Sequence, residues 1–262
     1  MDNLDNLLNW DSLTLFIYIT ARMSGFVLFT PLFSRSNIPR YFKAGFIMLL
    51  SVSVSYAYTG VVTTPGTLLE LMVKILLELG LGFMVGIIMQ MFFFIPALAC
   101  TVMDEQMGLA MAATYDPGFQ GNMTPSANLL NIYAMLLFIA ANGHYTLLRL
   151  MISSGNLVPF GAAAFGEATA ERVVEIFADC ALMGVKLCMP ILAAEFMGQI
   201  GMGVLMKVIP QINVFAINIE LKVLVGTVIL FFLLSTFSEY ILAMETTMLS
   251  ELEKAVSQIA GG

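Results

Sequence analysis

Charge is what this sequence has least of. Of its 262 residues, 11% are Asp, Glu, Lys or Arg, less than half of the roughly 25% that a soluble domain carries. With 59% hydrophobic residues and a mean hydropathy of +0.90, that scarcity excludes an ordinary soluble enzyme and a disordered chain. Basic charge is scarcer still. Eleven Lys and Arg against 18 Asp and Glu leave a formal charge of −7, the wrong sign for a phosphate backbone, so nucleic acid is not an expected partner. The three cysteines, Cys100, Cys180 and Cys188, lie in apolar stretches without CxxC spacing, which leaves neither a disulfide framework nor a zinc site and makes them small buried hydrophobes. The single histidine, His144, cannot build a multi-histidine metal site, and no GxSxG or HExxH accompanies it. We read it as structural and expect no enzyme and no cofactor. The first basic residue is Arg22, so the positive n-region of a cleavable signal peptide is missing and insertion is expected to use the chain's own apolar segments.

Those segments are long. A membrane span needs about 20 apolar residues. Leu13 to Phe33 is apolar except for Arg22, and Tyr41 to Val62 is closed by the turn signature Thr63-Thr64-Pro65-Gly66. Leu68 to Ile95 meets Pro96, and a shorter stretch, Ala97 to Ala113, leads into the breaker-rich Thr114 to Pro125. Ala127 to Met151 reads as one helix, followed by a Gly/Ala-rich connection from Ser153 to Gly166. Glu171 to Lys207, interrupted at Pro190, and Asn213 to about Ala243, with a polar tail helix Thr246 to Ile259, complete the chain. The periodicity predicts six or seven helical segments and no strand: an all-α, multi-helix membrane protein in a single domain. The basic loop Arg35, Arg40 and Lys43 is expected on the cytoplasmic side.

Some residues fit a lipid-facing bundle poorly. Glu70, Lys74 and Glu78 recur every fourth residue as a charge ladder on one helix face, and they feed into a glycine-rich run in which Gly82 and Gly86 form a GxxxG pair. Arg22, Arg149, Lys186, Glu195 and Glu220 sit inside otherwise apolar helices, where a charge at the bilayer centre costs about 2.5–3.5 kcal/mol. Faces of this kind point to protein or water as their neighbour, and so to a subunit of a larger assembly. Asp104 and Glu105 are adjacent, about 100° apart around a helix, and so do not form an acid/base pair. A polar helix end explains them better than a proton relay. Met103, Met107 and Met111 share a face just before the Asp116-Pro117-Gly118 loop. They read as core packing or as a deformable seal, and a loop so rich in Gly and Pro at membrane depth favours the seal.

The run Lys207-Val208-Ile209-Pro210-Gln211-Ile212-Asn213-Val214-Phe215, with Lys222 after it, closely resembles the PQ(L/I)NVF signature of the FliR/SctT family of type III secretion export-gate proteins. Further positions fit in family order: Ala21-Arg22-Met23-Ser24-Gly25 followed by Pro31, Ile38-Pro39, Gly80 to Gly86, Asp104 to Gly108, Asp116-Pro117 and Gly143-His144. The chain departs from many relatives at Gln199, Lys207, Asn218 and Glu220, the last two standing where the family usually has Gly and Pro. There a charged pair, Glu220 with Lys222, is expected in place of a tight bend.

The resemblance implies a subunit of the flagellar export gate in the bacterial inner membrane, at the flagellar basal body. Its implied partners are FliP-like, FliQ-like and FlhB-like subunits and unfolded protein substrates. It also implies a FliP-like part (about 1–165) fused to a FliQ-like part (about 166–262), with the helices standing largely above the bilayer plane. A plug loop is implied at about Gln106 to Asn122. On that basis Met103, Met107, Met111, Tyr115, Asp116, Pro117, Gly118 and Phe119 are the pore and plug residues. Arg22, Pro31, Gly82, Gly86, Lys207, Pro210, Gln211, Asn213, Phe215 and Lys222 then serve subunit packing. The competing reading is a secondary transporter or small channel using Arg22, Lys74 or Glu195. It would predict paired halves with matched interrupted helices, for which Pro96 and Pro190 give only a weak hint.

Overall fold

A computed structural model describes residues 10–34, 38–60, 64–109, 124–208 and 214–260, with side chains undescribed at 214–219 and 260. Among the described residues the chain is all helix and turn, with no strand. The described residues form seven helices, in order α1 (Trp10–Phe29), α2 (Arg40–Ala57), α3 (Leu68–Met107), α4 (Pro125–Ala140), α5 (Gly143–Leu157), α6 (Glu167–Val208) and α7 (Val214–Ala260).

Four of them, α1, α3, α6 and the Glu220–Ile259 stretch of α7, are long and apolar enough to cross a membrane, and a fifth crossing is available if α4 and α5 count as one broken span. The protein is therefore a helical membrane protein.

Four boundaries differ from expectation. Pro96 and Pro190 interrupt nothing: α3 runs 40 residues and α6 runs 42, each with its proline inside. A proline removes one backbone hydrogen bond and crowds the preceding turn, but in an apolar setting the alternative is several unpaired backbone groups, so the helix continues. The expected helix Ala127 to Met151 is split instead at Asn142, whose φ of 60° is left-handed. An Asn-Gly dipeptide tolerates that conformation better than other residues. α7 absorbs the tail helix and runs unbroken through Asn218 and Glu220, so no tight bend stands there. Among the described residues no ion pair joins Glu220 to Lys222.

The chain divides into two compact units that alternate along the sequence. The first comprises Met1–Phe92, Asn142–Ala178 and Thr246–Gly262. Tyr18, Met23 and Phe26 of α1, Leu81, Val85 and Ile88 of α3, and Leu147 of α5 are buried in it. The end of α7 contributes Met248, Leu252, Ala255, Val256 and Ile259, an apolar stripe at helical spacing that is buried throughout. Arg172 at the start of α6 bonds Glu175 at 2.8 Å and also Glu251, and Glu251 accepts from Lys254 at 3.0 Å, closing a surface clasp.

The second unit comprises Phe93–Ala141 and Asp179–Glu245. Its core holds Ala99, Cys100, Met103, Met107, Leu130, Phe138, Ile191 and Phe237, with Phe93 edge-on to Phe138 at 5.4 Å. Two polar contacts tie α7 to its neighbours here: Tyr133 with Ser238, 2.7 Å between hydroxyls, and Tyr240, whose hydroxyl donates to the Met183 carbonyl at 3.1 Å. All three cysteines are buried and free.

Candidate functional site

Arg22 is the largest fully buried side chain described, with no accessible surface. A guanidinium keeps its charge at any ordinary pH and offers five N–H donors, so burying it demands acceptors. It has them. Nε donates to Glu78 Oε2 at 2.6 Å, Nη1 to Ser154 Oγ at 3.0 Å and Nη2 to the Val158 carbonyl at 3.0 Å. Its plane lies over the Phe160 ring, 4.2 Å from the centroid, a cation–π contact. Glu78 is equally buried, and its other oxygen accepts the Gly161 N–H at 2.7 Å.

Four parts of the first unit thus meet at one ion pair: α1, α3, the end of α5 and the turn at 158–161. Gly161 has a φ of 84°, a conformation in which glycine aims its N–H at the carboxylate without Cβ strain. The charge ladder therefore divides. Lys74 pairs within its own helix, 2.9 Å from Glu70, and Glu78 belongs to Arg22.

The glycines explain how α1 comes so close to α3. A Cβ on Gly82 would run into the backbone oxygen of Arg22, one on Gly25 into the backbone of Leu79, and one on Gly86 would sit 2.7 Å from the Phe29 Cβ. The GxxxG pair on α3 is thus matched by Gly25 on α1, and backbones touch where side chains would hold them apart.

At the far end of α3, in the second unit, Met103 and Met107 are fully buried. Met107 lies against Gly226 of α7, where any Cβ would collide with its sulfur and with Glu195. Asp104, also buried, accepts the backbone N–H of Ser126 at 3.2 Å through Oδ2, satisfying a donor in the first turn of α4 that has no partner within the helix. The Asp104 Oδ1 and Glu195 Oε1 atoms are buried without a hydrogen-bond partner among the described residues. α3 ends at Gly108, which has a φ of 80°, the left-handed cap that glycine favours.

Of the other expected site residues, Met111, Tyr115, Asp116, Pro117, Gly118 and Phe119 lie outside the described residues, as do Pro210, Gln211 and Asn213. Phe215 is in the first turn of α7 with its side chain undescribed. Pro31 is in the turn after α1, Lys207 is exposed in the last turn of α6, and Lys222 is half-buried in α7. Among the described residues no three His, Cys, Asp or Glu side chains are grouped to hold a metal.

Sequence reasoning missed Ser154, Val158, Phe160 and Gly161 as the partners of Arg22 and Glu78. It also missed Gly226 as the seat of Met107. A buried arginine requires a carboxylate, but nothing in the spacing shows which one.

Comparison with known proteins gives the arrangement its context. The family model described as "Bacterial export proteins, family 1" matches residues 13–248. The chain is similar to the flagellar biosynthetic protein FliR of Escherichia coli K12, with 25% identity over 219 residues, 84% of this chain and 83% of that one. It is similar to FliR of Pectobacterium carotovorum, with 26% identity over 250 residues, 94% of this chain and 95% of the relative. It is also similar to Yop proteins translocation protein T of Yersinia pestis, with 26% identity over 182 residues, 67% of this chain and 69% of the relative. With the family model covering nearly the whole chain, the protein belongs to the FliR/SctT family of bacterial export proteins.

Proposed function

We propose that this protein is a component of a type III secretion export apparatus and, within it, a subunit of the flagellar export gate in the bacterial inner membrane. With FliP-like and FliQ-like subunits it forms the pore through which unfolded proteins leave the cytoplasm, with an FlhB-like subunit as a further partner. Its first 165 residues or so act as the FliP-like part and the remainder as the FliQ-like part. It performs no covalent chemistry.

The observation that carries the plug reading is the Asp104–Ser126 hydrogen bond. It pins together the two ends of the segment that contains Met111, Tyr115, Pro117 and Phe119. Met103 and Met107 are fully buried and fix the last turns of α3. A segment held at both ends can yield by its own backbone torsions while its base stays packed, and this suits a seal that opens for a passing chain and recloses. Thioether side chains adapt to irregular surfaces at low cost, which fits Met111 for the moving part.

The test is ion leakage through the assembled complex in liposomes. Phe119→Asp, or deletion of Gly118 to Gln120, leaves assembly intact and makes the complex conduct small ions. An assembled variant as tight as the parent refutes the plug.

A further inference from the structure

The geometry points to an anionic phospholipid headgroup bound in a groove between the end of α2 and one face of α5, with Arg149 as its cation. The groove has a volume of about 410 Å3, within the roughly 300–1,000 Å3 of small-ligand sites. Tyr58, Tyr145, Arg149, Ile152, Ser153 and Asn156 are among the residues that line it, with no carboxylate.

Arg22 bonds Glu78, Lys74 bonds Glu70, and Arg172 and Lys254 share Glu251. Among the described residues the side chains of Arg40 and Lys43, in the first turn of α2 and outside the candidate spans, make no ion pair or hydrogen bond, and nor does that of Arg149. It is exposed on a helix that is one half of a candidate broken span. An unpaired charge there is costly at depth and cheap beside a phosphate. A guanidinium binds phosphate through two parallel N–H bonds.

The surroundings fit a lipid rather than a soluble anion. Tyr145, one turn before Arg149, is 66% exposed, and Tyr56, beside the α2 wall of the groove, is 88% exposed. Tyrosines so placed mark the level of headgroups. Ile152, in the groove wall on α5, offers exposed apolar surface there, suited to the start of an acyl chain. Ser153 and Asn156, four and seven residues beyond Arg149, add hydroxyl and amide donors for a glycerol headgroup, Ser153 committing only one bond, to the Leu150 carbonyl. The site needs only a membrane protein, so it stands whether or not the chain works in export.

The test uses the full chain, extracted in mild detergent with whatever subunits accompany it, and native mass spectrometry with dioleoyl phosphatidylglycerol or dioleoyl phosphatidylcholine added. Phosphatidylglycerol is retained in preference, and Arg149→Gln lowers that retention about five- to tenfold without changing phosphatidylcholine. Arg149→Lys, which keeps the charge but not the paired N–H bonds, retains more than Arg149→Gln and less than the parent. Equal retention of the two lipids overturns the site, as does undiminished phosphatidylglycerol in Arg149→Gln. Loss of a companion subunit from Arg149→Gln with lipid retention unchanged also overturns it, by showing that a protein carboxylate fills the groove. Should Arg149→Gln not fold, Asn156→Leu at an exposed position obstructs the groove without touching the charge. Full retention in that variant overturns the site equally.

Discussion

Replacing Glu78 with Gln keeps the shape of the side chain and removes its charge, so it isolates what the Arg22 pair does. The native carboxylate accepts two N–H groups, Arg22 Nε on one oxygen and Gly161 N on the other. Gln has one acceptor oxygen, and its NH2 must face one of those donors, leaving it unbonded beside an uncompensated guanidinium with no access to water. Removing one partner of a buried pair costs about 3–5 kcal/mol. At about 2–4 °C per kcal/mol for a chain of this size, the thermal midpoint of the detergent-solubilised protein, followed by helical circular dichroism, falls by about 6–20 °C.

The double variant Arg22→Met, Glu78→Met removes both charges and leaves the Gly161 N–H without an acceptor and the Val158 carbonyl without its donor, but no charge unpaired. The larger of these losses is the N–H, about 1–3 kcal/mol, since an under-satisfied carbonyl is better tolerated. The double variant is therefore more stable than Glu78→Gln alone. A Glu78→Gln shift under about 2 °C, or a double variant whose loss equals the sum of the Arg22→Met and Glu78→Met losses, refutes the reasoning.

Gly82→Ala places a Cβ against the Arg22 backbone, which cannot move aside, and costs at least the upper part of the ~1–3 kcal/mol of an overpacked core. Gly45→Ala in α2, with nothing within 4 Å of the new Cβ, gains about 0.5–1 kcal/mol from helix propensity. Equal thermal midpoints for the two refute the close α1–α3 approach. Asp104→Ala removes the acceptor for Ser126 N–H, costs about 0.5–2 kcal/mol as a lost cap, and speeds proteolysis between Ala110 and Met123. Asp104→Asn retains an acceptor and falls between the two.

What was legible in the sequence was what is local. Helix class follows from apolar runs longer than any strand, and the Gly82/Gly86 pair marks a close crossing because its spacing is that of one helix face. The partner of Arg22 was not legible, since Glu78 is 56 residues away and reads equally well as the next rung above Lys74. Pro96 and Pro190 read as breaks because proline breaks helices in water. The break at Asn142 was hidden, because an Asn-Gly dipeptide flanked by apolar residues differs little from continuous helix. The Met103 and Met107 stripe marks a buried face from its period alone, but not that Gly226 receives it.

Burial also changes from helix to helix in a way that bears on what surrounds the protein. The most apolar window of α3 is 67% buried and that of α1 50%, against 33% for α6 and 11% for α7. α7 shows Phe231 and Phe232 each more than 70% exposed, which lipid would accept at no cost. The same helix carries Glu239, exposed and far from either end. A carboxylate at bilayer depth costs about 2.5–3.5 kcal/mol, whereas water beside two bare phenylalanines forfeits about 1.5–3 kcal/mol for each. Neither solvent suits both groups. A neighbouring protein surface suits them together, because it can cover the rings and supply a basic or hydrogen-bonding partner to the carboxylate. The exposed side of α7 is therefore better matched to a protein neighbour than to lipid alone or water alone.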